Sequence, residues 1–173
     1  MTHRHAWLRL PWWDTYCGLT AVTVSALVLL IESNRTAASR AAAVAMIACF
    51  VAWYAVLGRR LIGRESTDAV AWVFTVGAAV PVAAATAFAS VASFLLFALV
   101  PMVFTILALV PATVIVVVLN LLPSAIYLTR TGDTAGTLAG PFPVAVLVTV
   151  FSIAFAVWVT RIVEQSNERA VLI

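Results

Sequence analysis

AVAWVFTVGAAVPVAAATAFASVASFLLFALVPMVFTILALVPATVIVVVLNLLPSAIYLT, Ala69 to Thr129, holds no Asp, Glu, Lys, Arg or His. A stretch so apolar has no face to turn toward water, and the bilayer is the medium that suits it. As a single helix rising 1.5 Å per residue it would reach roughly 90 Å, about three times the roughly 30 Å of a hydrocarbon core. Three crossings are therefore expected inside it, at about 69–89, 93–110 and 112–129. The breaks are placed at Ser90 to Ser93, where small polar residues tolerate a turn, and near Pro111, because proline terminates helices.

Working outward toward the N-terminus, Trp12, Trp13 and Tyr16 form an aromatic entrance to an apolar run that Glu32, Ser33, Asn34 and Arg35 close. That predicts a helix over 12–31. A second is predicted over 41–57, ended by GRRLIGRESTD (58–68), with Trp53 and Tyr54 at its interfacial end. Toward the C-terminus, RTGDTAGTLAGP (130–141) reads as a turn-rich loop, and a last helix follows over 142–160. The expected fold is all-α, a polytopic integral membrane helical bundle of six transmembrane helices. Five is the alternative count if the middle run holds only two long tilted helices.

Arginine placement orients the bundle. Arg4 and Arg9 precede the first helix and Arg59, Arg60 and Arg64 follow the second, while Arg35 and Arg40 lie on the opposite side. The positive-inside rule puts the first group in the cytoplasm, and an even number of spans returns the C-terminus there. The first run exceeds the core of a typical signal peptide, so residues 1–13 are expected to be a cytoplasmic lead-in to a retained anchor. The expected location is the plasma membrane.

Composition narrows the function. With 64% hydrophobic and 10% charged residues and a mean hydropathy of +1.11, the chain is far from the soluble balance. A net charge of +3 would suggest nucleic acid in a soluble domain, but here the basic residues punctuate apolar runs, and direct nucleic-acid binding is not expected. Cys17 and Cys49 lie inside apolar runs with neither metal-ligand nor redox spacing, and read as packing residues. An intramembrane hydrolase needs a Ser or Asp nucleophile with a base at depth, yet no Asp, Glu, His, Lys or Arg falls within the predicted spans, Asp14 at an interface aside. Glu65 and Asp68 are too few for the acidic metal cluster of a phosphotransferase. A transporter would use broken helices, for which Pro81, Pro101, Pro111 and Pro123 are candidates, and buried carboxylates, which are lacking. Asn120 is the most polar group at depth and is expected to make an interhelical hydrogen bond. Tyr127, Arg130 and Asp133 are candidates for a polar interface site, or equally for a snorkelling arginine beside a glycine turn. No catalytic, cofactor-binding or metal-binding residue is assigned.

The last stretch, RIVEQSNERAVLI (161–173), is polar and charge-dotted. Ala156, Val159, Val163, Ser166, Ala170 and Ile173 recur at steps of three and four, as in a coiled-coil seam, with Glu164, Gln165, Glu168 and Arg169 outside it. Arg161 and Glu164 are at i,i+3 spacing. Fewer than three heptads are present, and a frayed cytoplasmic tail fits the periodicity equally well.

The string WVTRIVEQSNERAVLI (158–173) resembles the junction after the last transmembrane helix of bacterial, actinobacterial-type DesK-like sensor histidine kinases. SFLLFALVPMVF (93–104) and VLNLLPSAIYLTRTGD (118–133) are similar to the same membrane regions, whereas the first half matches only in its span pattern. The resemblance implies that residues 1–160 are a transmembrane sensor domain and 161–173 the start of a cytoplasmic signalling helix. Arg161, Val163, Glu164, Gln165, Ser166, Glu168, Arg169 and Ala170 would carry the signal. It further implies a homodimer in the full-length protein and a kinase region beyond Ile173, with ATP as its cofactor and a response regulator as its partner. His3 and His5 lie in the lead-in, and no phosphoacceptor role is carried onto them. The competing expectation is a self-contained multipass protein, a transporter subunit or a membrane scaffold.

Overall fold

The computed structural model describes residues 10–62 and 69–171, and these contain no strand. Helix α1 (Leu10–Ile31) is followed by α2 (Ala37–Trp53), which continues through a π turn (Tyr54–Gly58) into a last turn, Arg59–Leu61. Next come α3 (Ala69–Phe88), a 3-10 segment (Ser90–Leu95) leading into α4 (Leu96–Ile106), α5 (Leu109–Thr131), the short α6 (Thr134–Ala139) and α7 (Pro141–Val171). Among the described residues, six helices cross the bundle. Five of them, Trp12–Ile31, Ala37–Leu61, Ala69–Phe88, Leu109–Thr131 and Thr134–Trp158, are long and apolar enough to cross a membrane. The chain is an all-α membrane protein. The sixth crossing, Ser90–Ile106, is shorter, but its six 3-10 residues rise about 2.0 Å each and its 11 α-helical residues about 1.5 Å. Its reach is about 28 Å, close to a hydrocarbon core.

The helix ends differ from the sequence expectation in ways that local chemistry explains. The second helix starts at Ala37 and not at 41, because Thr36 accepts a hydrogen bond from the Ser39 amide and caps it. The break expected near Pro111 falls at Leu107 and Ala108, both extended, and Pro111 sits inside the first turn of α5. Proline fits there because first-turn amides have no intrahelical acceptor. The other break is at Ala89, which is extended, so the next crossing begins at Ser90 and not at 93. Pro81, Pro101 and Pro123 lie within helices and end none of them, as membrane helices tolerate. The 130–141 loop is in large part helical: left-handed Gly132 (φ 64°) closes α5 and Asp133 caps α6. The last helix runs without a break past the expected span end at 160 to Val171, as expected of a stretch with no Pro or Gly after Pro143.

The packing centre is α3. In its most apolar stretch 44% of residues are buried, against 6% for the last span. Ala71, Ala78 and Ala85 recur every seventh residue and are fully buried, letting neighbouring backbones approach closely. Against them α2 places Ala43, Ile47, Phe50 and Tyr54, one face of a 3.6-residue period. Trp53, expected at the interface, donates its indole N–H to the Phe74 carbonyl at 3.1 Å. Its ring fills a notch at Gly77, where an added Cβ would lie 2.4 Å from the indole.

At the opposite end of α1, Glu32 is buried and reaches across the bundle. Its Oε1 accepts from the Ser90 hydroxyl at 2.6 Å and from the Val91 amide at 3.1 Å, and Arg35 lies 3.6 Å from Oε2. Ala89 offers the 3-10 segment no side-chain cap, so a carboxylate from another helix serves amides that would otherwise lack an acceptor. Burial alone would raise the Glu32 pKa. The Ser90 hydroxyl, the backbone amides of Val91 and Ser90 and the Arg35 charge outweigh it and hold the carboxyl below its usual range. A folded pKa below the unfolded one contributes stability that is present above the unfolded value and lost as pH falls through the folded one. Thermal stability in detergent is therefore expected to fall on acidification through and below the ordinary glutamate range. Glu32→Gln should remove part of that acid dependence while lowering stability at neutral pH. Unchanged acid dependence in the variant would contradict this assignment.

Candidate functional site

Helix α5 carries an unusual polar pair on its buried face. Asn120 and Ser124, 3% and 4% exposed, are one turn apart on the face that also buries Ala112 and Val116. Neither side-chain atom of Asn120 has a hydrogen-bond partner among the described residues, nor does the Ser124 hydroxyl. The interhelical hydrogen bond expected of Asn120 is not made. Pro123 between them has no N–H, so the Leu119 carbonyl loses its helical donor at the same level. Asn120 and Ser124 are thus two buried polar side chains without partners among the described residues, each costing about 1–3 kcal/mol.

Helix α7 packs along α5 and holds its own polar groups inward on its backbone. Thr149 donates to the Ala145 carbonyl and Ser152 to the Val148 carbonyl, both at 2.7 Å, so neither hydroxyl proton is left for α5. Ser152 lies about 16 Å along α7 from Pro141, and Asn120 about 16 Å along α5 from Thr131, which places both near the middle of a core roughly 30 Å thick. Buried Ala145 and Ala156 bracket this level, with half-buried Val148, Thr149, Ser152, Ile153 and Val157 beside them. Its other side is large and exposed: Leu147, Val150, Phe151, Phe155 and Trp158. Phe151, Phe155 and Trp158 form a ring ladder with centroid spacings of 6.2 and 6.0 Å.

The three residues expected at the α5–α6 end have separate tasks. Asp133 caps α6, its Oδ1 accepting from the Gly136 amide at 2.9 Å and its carbonyl from the Thr137 hydroxyl at 2.6 Å. An added Cβ at Gly136 would fall 2.2 Å from Asp133 Oδ2 and 3.3 Å from the Tyr127 hydroxyl, so these two side chains meet around that glycine. Arg130 is exposed and makes no ion pair among the described residues. Asp133 is thus a helix cap.

The expected signalling residues fall on α7. Arg161 is exposed. Val163, Glu164, Gln165, Ser166, Glu168, Arg169 and Ala170 lie within its helical backbone, and their side chains are outside the described residues, as is Ile173 altogether. No metal-ligating cluster occurs among the described residues. Sequence reasoning overlooked Ser124 as a companion to Asn120, although the i,i+4 spacing around a proline was there to be read. Glu32 and Ser90 carried no local signal of their pairing, because they meet only through the tertiary fold.

No protein-family model, curated protein or solved structure matches the chain.

Replacing Asn120 with Leu removes two unpaired polar atoms at little change in volume. The variant is expected to melt higher in detergent, by about 1 kcal/mol of stability. A loss of stability of similar size would show that Asn120 is satisfied by a group the fold does not reveal.

Proposed function

We propose that the chain is the membrane-embedded signal-input region of a two-component sensor histidine kinase, with α7 as its output. One observation carries the reading: α7 is a single helix of 31 residues, about 46 Å long, and its span is the least buried of the five long ones. A helix that outlasts the roughly 30 Å core by some 16 Å delivers any sliding or rotation to the water phase without a joint.

The arrangement around it suits a two-state device. Trp53 in its Gly77 notch and Glu32 on the 3-10 segment tie α1 to α4 into one body, while the buried positions in the described part of α7 are the small Ala145 and Ala156. Asn120 and Ser124 leave the present packing short of hydrogen bonds, so a second seating of α7 that supplies them is close in energy. The loops between spans are short, which points to stimuli acting within the bilayer: a change in lipid order or thickness, or an amphiphile. On this reading α7 pairs with its copy in a homodimer beyond the membrane, and a kinase region past Ile173 binds ATP and passes the phosphoryl group to a response regulator.

The test is made on the native gene product. Incubated with radiolabelled ATP in membranes, it should become labelled on a histidine beyond residue 173, and two glycines inserted after Gln165 should uncouple labelling from a change of bilayer composition. A native product that takes no label, or coupling that survives the insertion, would overturn the proposal.

A further inference from the structure

A second site lies at the other end of the bundle, between α1 and α2. Tyr54 and Arg59 are five residues apart, which at 3.6 residues per turn would point them roughly 140° away from each other. The π turn cancels this difference. The Arg59 amide bonds to the Tyr54 carbonyl, the i+5 pattern, and the wider turn stacks both side chains on one face. There they meet one carboxylate from α1: Tyr54 donates its hydroxyl to Asp14 Oδ1 at 2.9 Å, and Arg59 Nη2 donates to Asp14 Oδ2 at 2.9 Å.

These three residues form the polar end of a cleft of about 220 Å³. Cys17, Gly18 and Val51 line the rest of it, one to two turns further into the membrane on the same two helices. The cleft is therefore amphiphilic along the bilayer normal, polar toward the water and apolar toward the hydrocarbon. Nothing approaches within 4 Å of the place a Gly18 Cβ would take, so the apolar part is open. Both Asp14 oxygens already accept a hydrogen bond, whereas among the described residues Arg59 makes one with the five N–H donors of its guanidinium, and its side chain is half exposed. Arg60 next to it is exposed as well. Among the described residues the local balance is one carboxylate against two guanidiniums, with donors of Arg59 beyond the one on Asp14, which selects for an anion.

We propose that this cleft seats an anionic phospholipid, its phosphate on Arg59 and the first part of one acyl chain over Gly18. Arginine binds phosphate through paired N–H donors, and the desolvated edge of the membrane strengthens that contact. The phosphate competes with Asp14 for Arg59, so an occupied cleft loosens the tie between α1 and α2. The inference is independent of any kinase output, since it concerns occupancy of the cleft alone.

The test is native mass spectrometry of the full chain released from nanodiscs containing equal parts of phosphatidylglycerol, phosphatidylethanolamine and phosphatidylcholine. Retention of phosphatidylglycerol well above the two zwitterionic lipids is expected. Arg59→Gln should cut it roughly tenfold, the size of one charge-assisted contact. Gly18→Leu should cut it comparably by filling the cleft without touching a charge, so the result does not hang on the stability of the arginine variant. Arg130→Gln, at the opposite end of the bundle, should leave retention unchanged. Equal retention of all three lipids, or retention unaffected by both Arg59→Gln and Gly18→Leu, would overturn the proposal. So would displacement of the lipid by millimolar inorganic phosphate, which would make the site one for free anions.

Discussion

Hydrocarbon offers no hydrogen bonds, so every polar group within the membrane must find its partner in the chain itself. Most features of this bundle follow from that constraint. Hydroxyls at Thr75, Thr86, Thr149 and Ser152 fold back onto the carbonyls of their own helices. The Trp53 indole finds the Phe74 carbonyl, and the bare end of the 3-10 segment is served by Glu32 from α1. Among the described residues of the spans the constraint is broken by uncharged side chains at the Trp13 indole N–H near the start of α1 and, as a pair on one face of α5 at mid-depth, at Asn120 and Ser124. A defect that local and costly marks a place where a second arrangement has something to gain.

The same constraint separates a tied part from a loose one. From α1 to α4 the helices are linked by an aromatic side chain in a glycine notch, a cross-helix cap and the Asp14–Arg59 ion pair. Helix α7 shows no such link to α5 among the described residues, and only 6% of the most apolar part of its span is buried. A helix held by dispersion against small side chains slides and rotates more readily than one pinned by charged hydrogen bonds.

Much of the architecture was legible in the sequence. The charge-free run 69–129 required about three crossings by length alone, and the helical, membrane-spanning character followed from composition. The exact turns were not legible, because proline reads as a terminator by its chemistry yet is accepted in a first turn, as at Pro111, or inside a membrane helix, as at Pro81. The π turn at Tyr54–Gly58 has no sequence signature, and so the meeting of Tyr54, Arg59 and Asp14 could not be foreseen from spacing. Asn120 stood out by polarity in an apolar run, but whether its bond is made depends on what the facing helix presents, which periodicity does not encode. Asp133, a sensing or packing candidate by its place at the membrane edge, also caps α6, and an Asp just after a glycine turn is where a helix start is to be looked for.

The central claim is that α7 moves against a fixed remainder. Spin labels at two pairs of lipid-exposed positions test it directly by double electron–electron resonance in bilayers of increasing thickness: Val118 with Val150, spanning α5 and α7, and Val80 with Val118, spanning α3 and α5. The account predicts that the Val118–Val150 distribution shifts with thickness while Val80–Val118 stays in place. Distances that are constant for both pairs, or that change together, would contradict it.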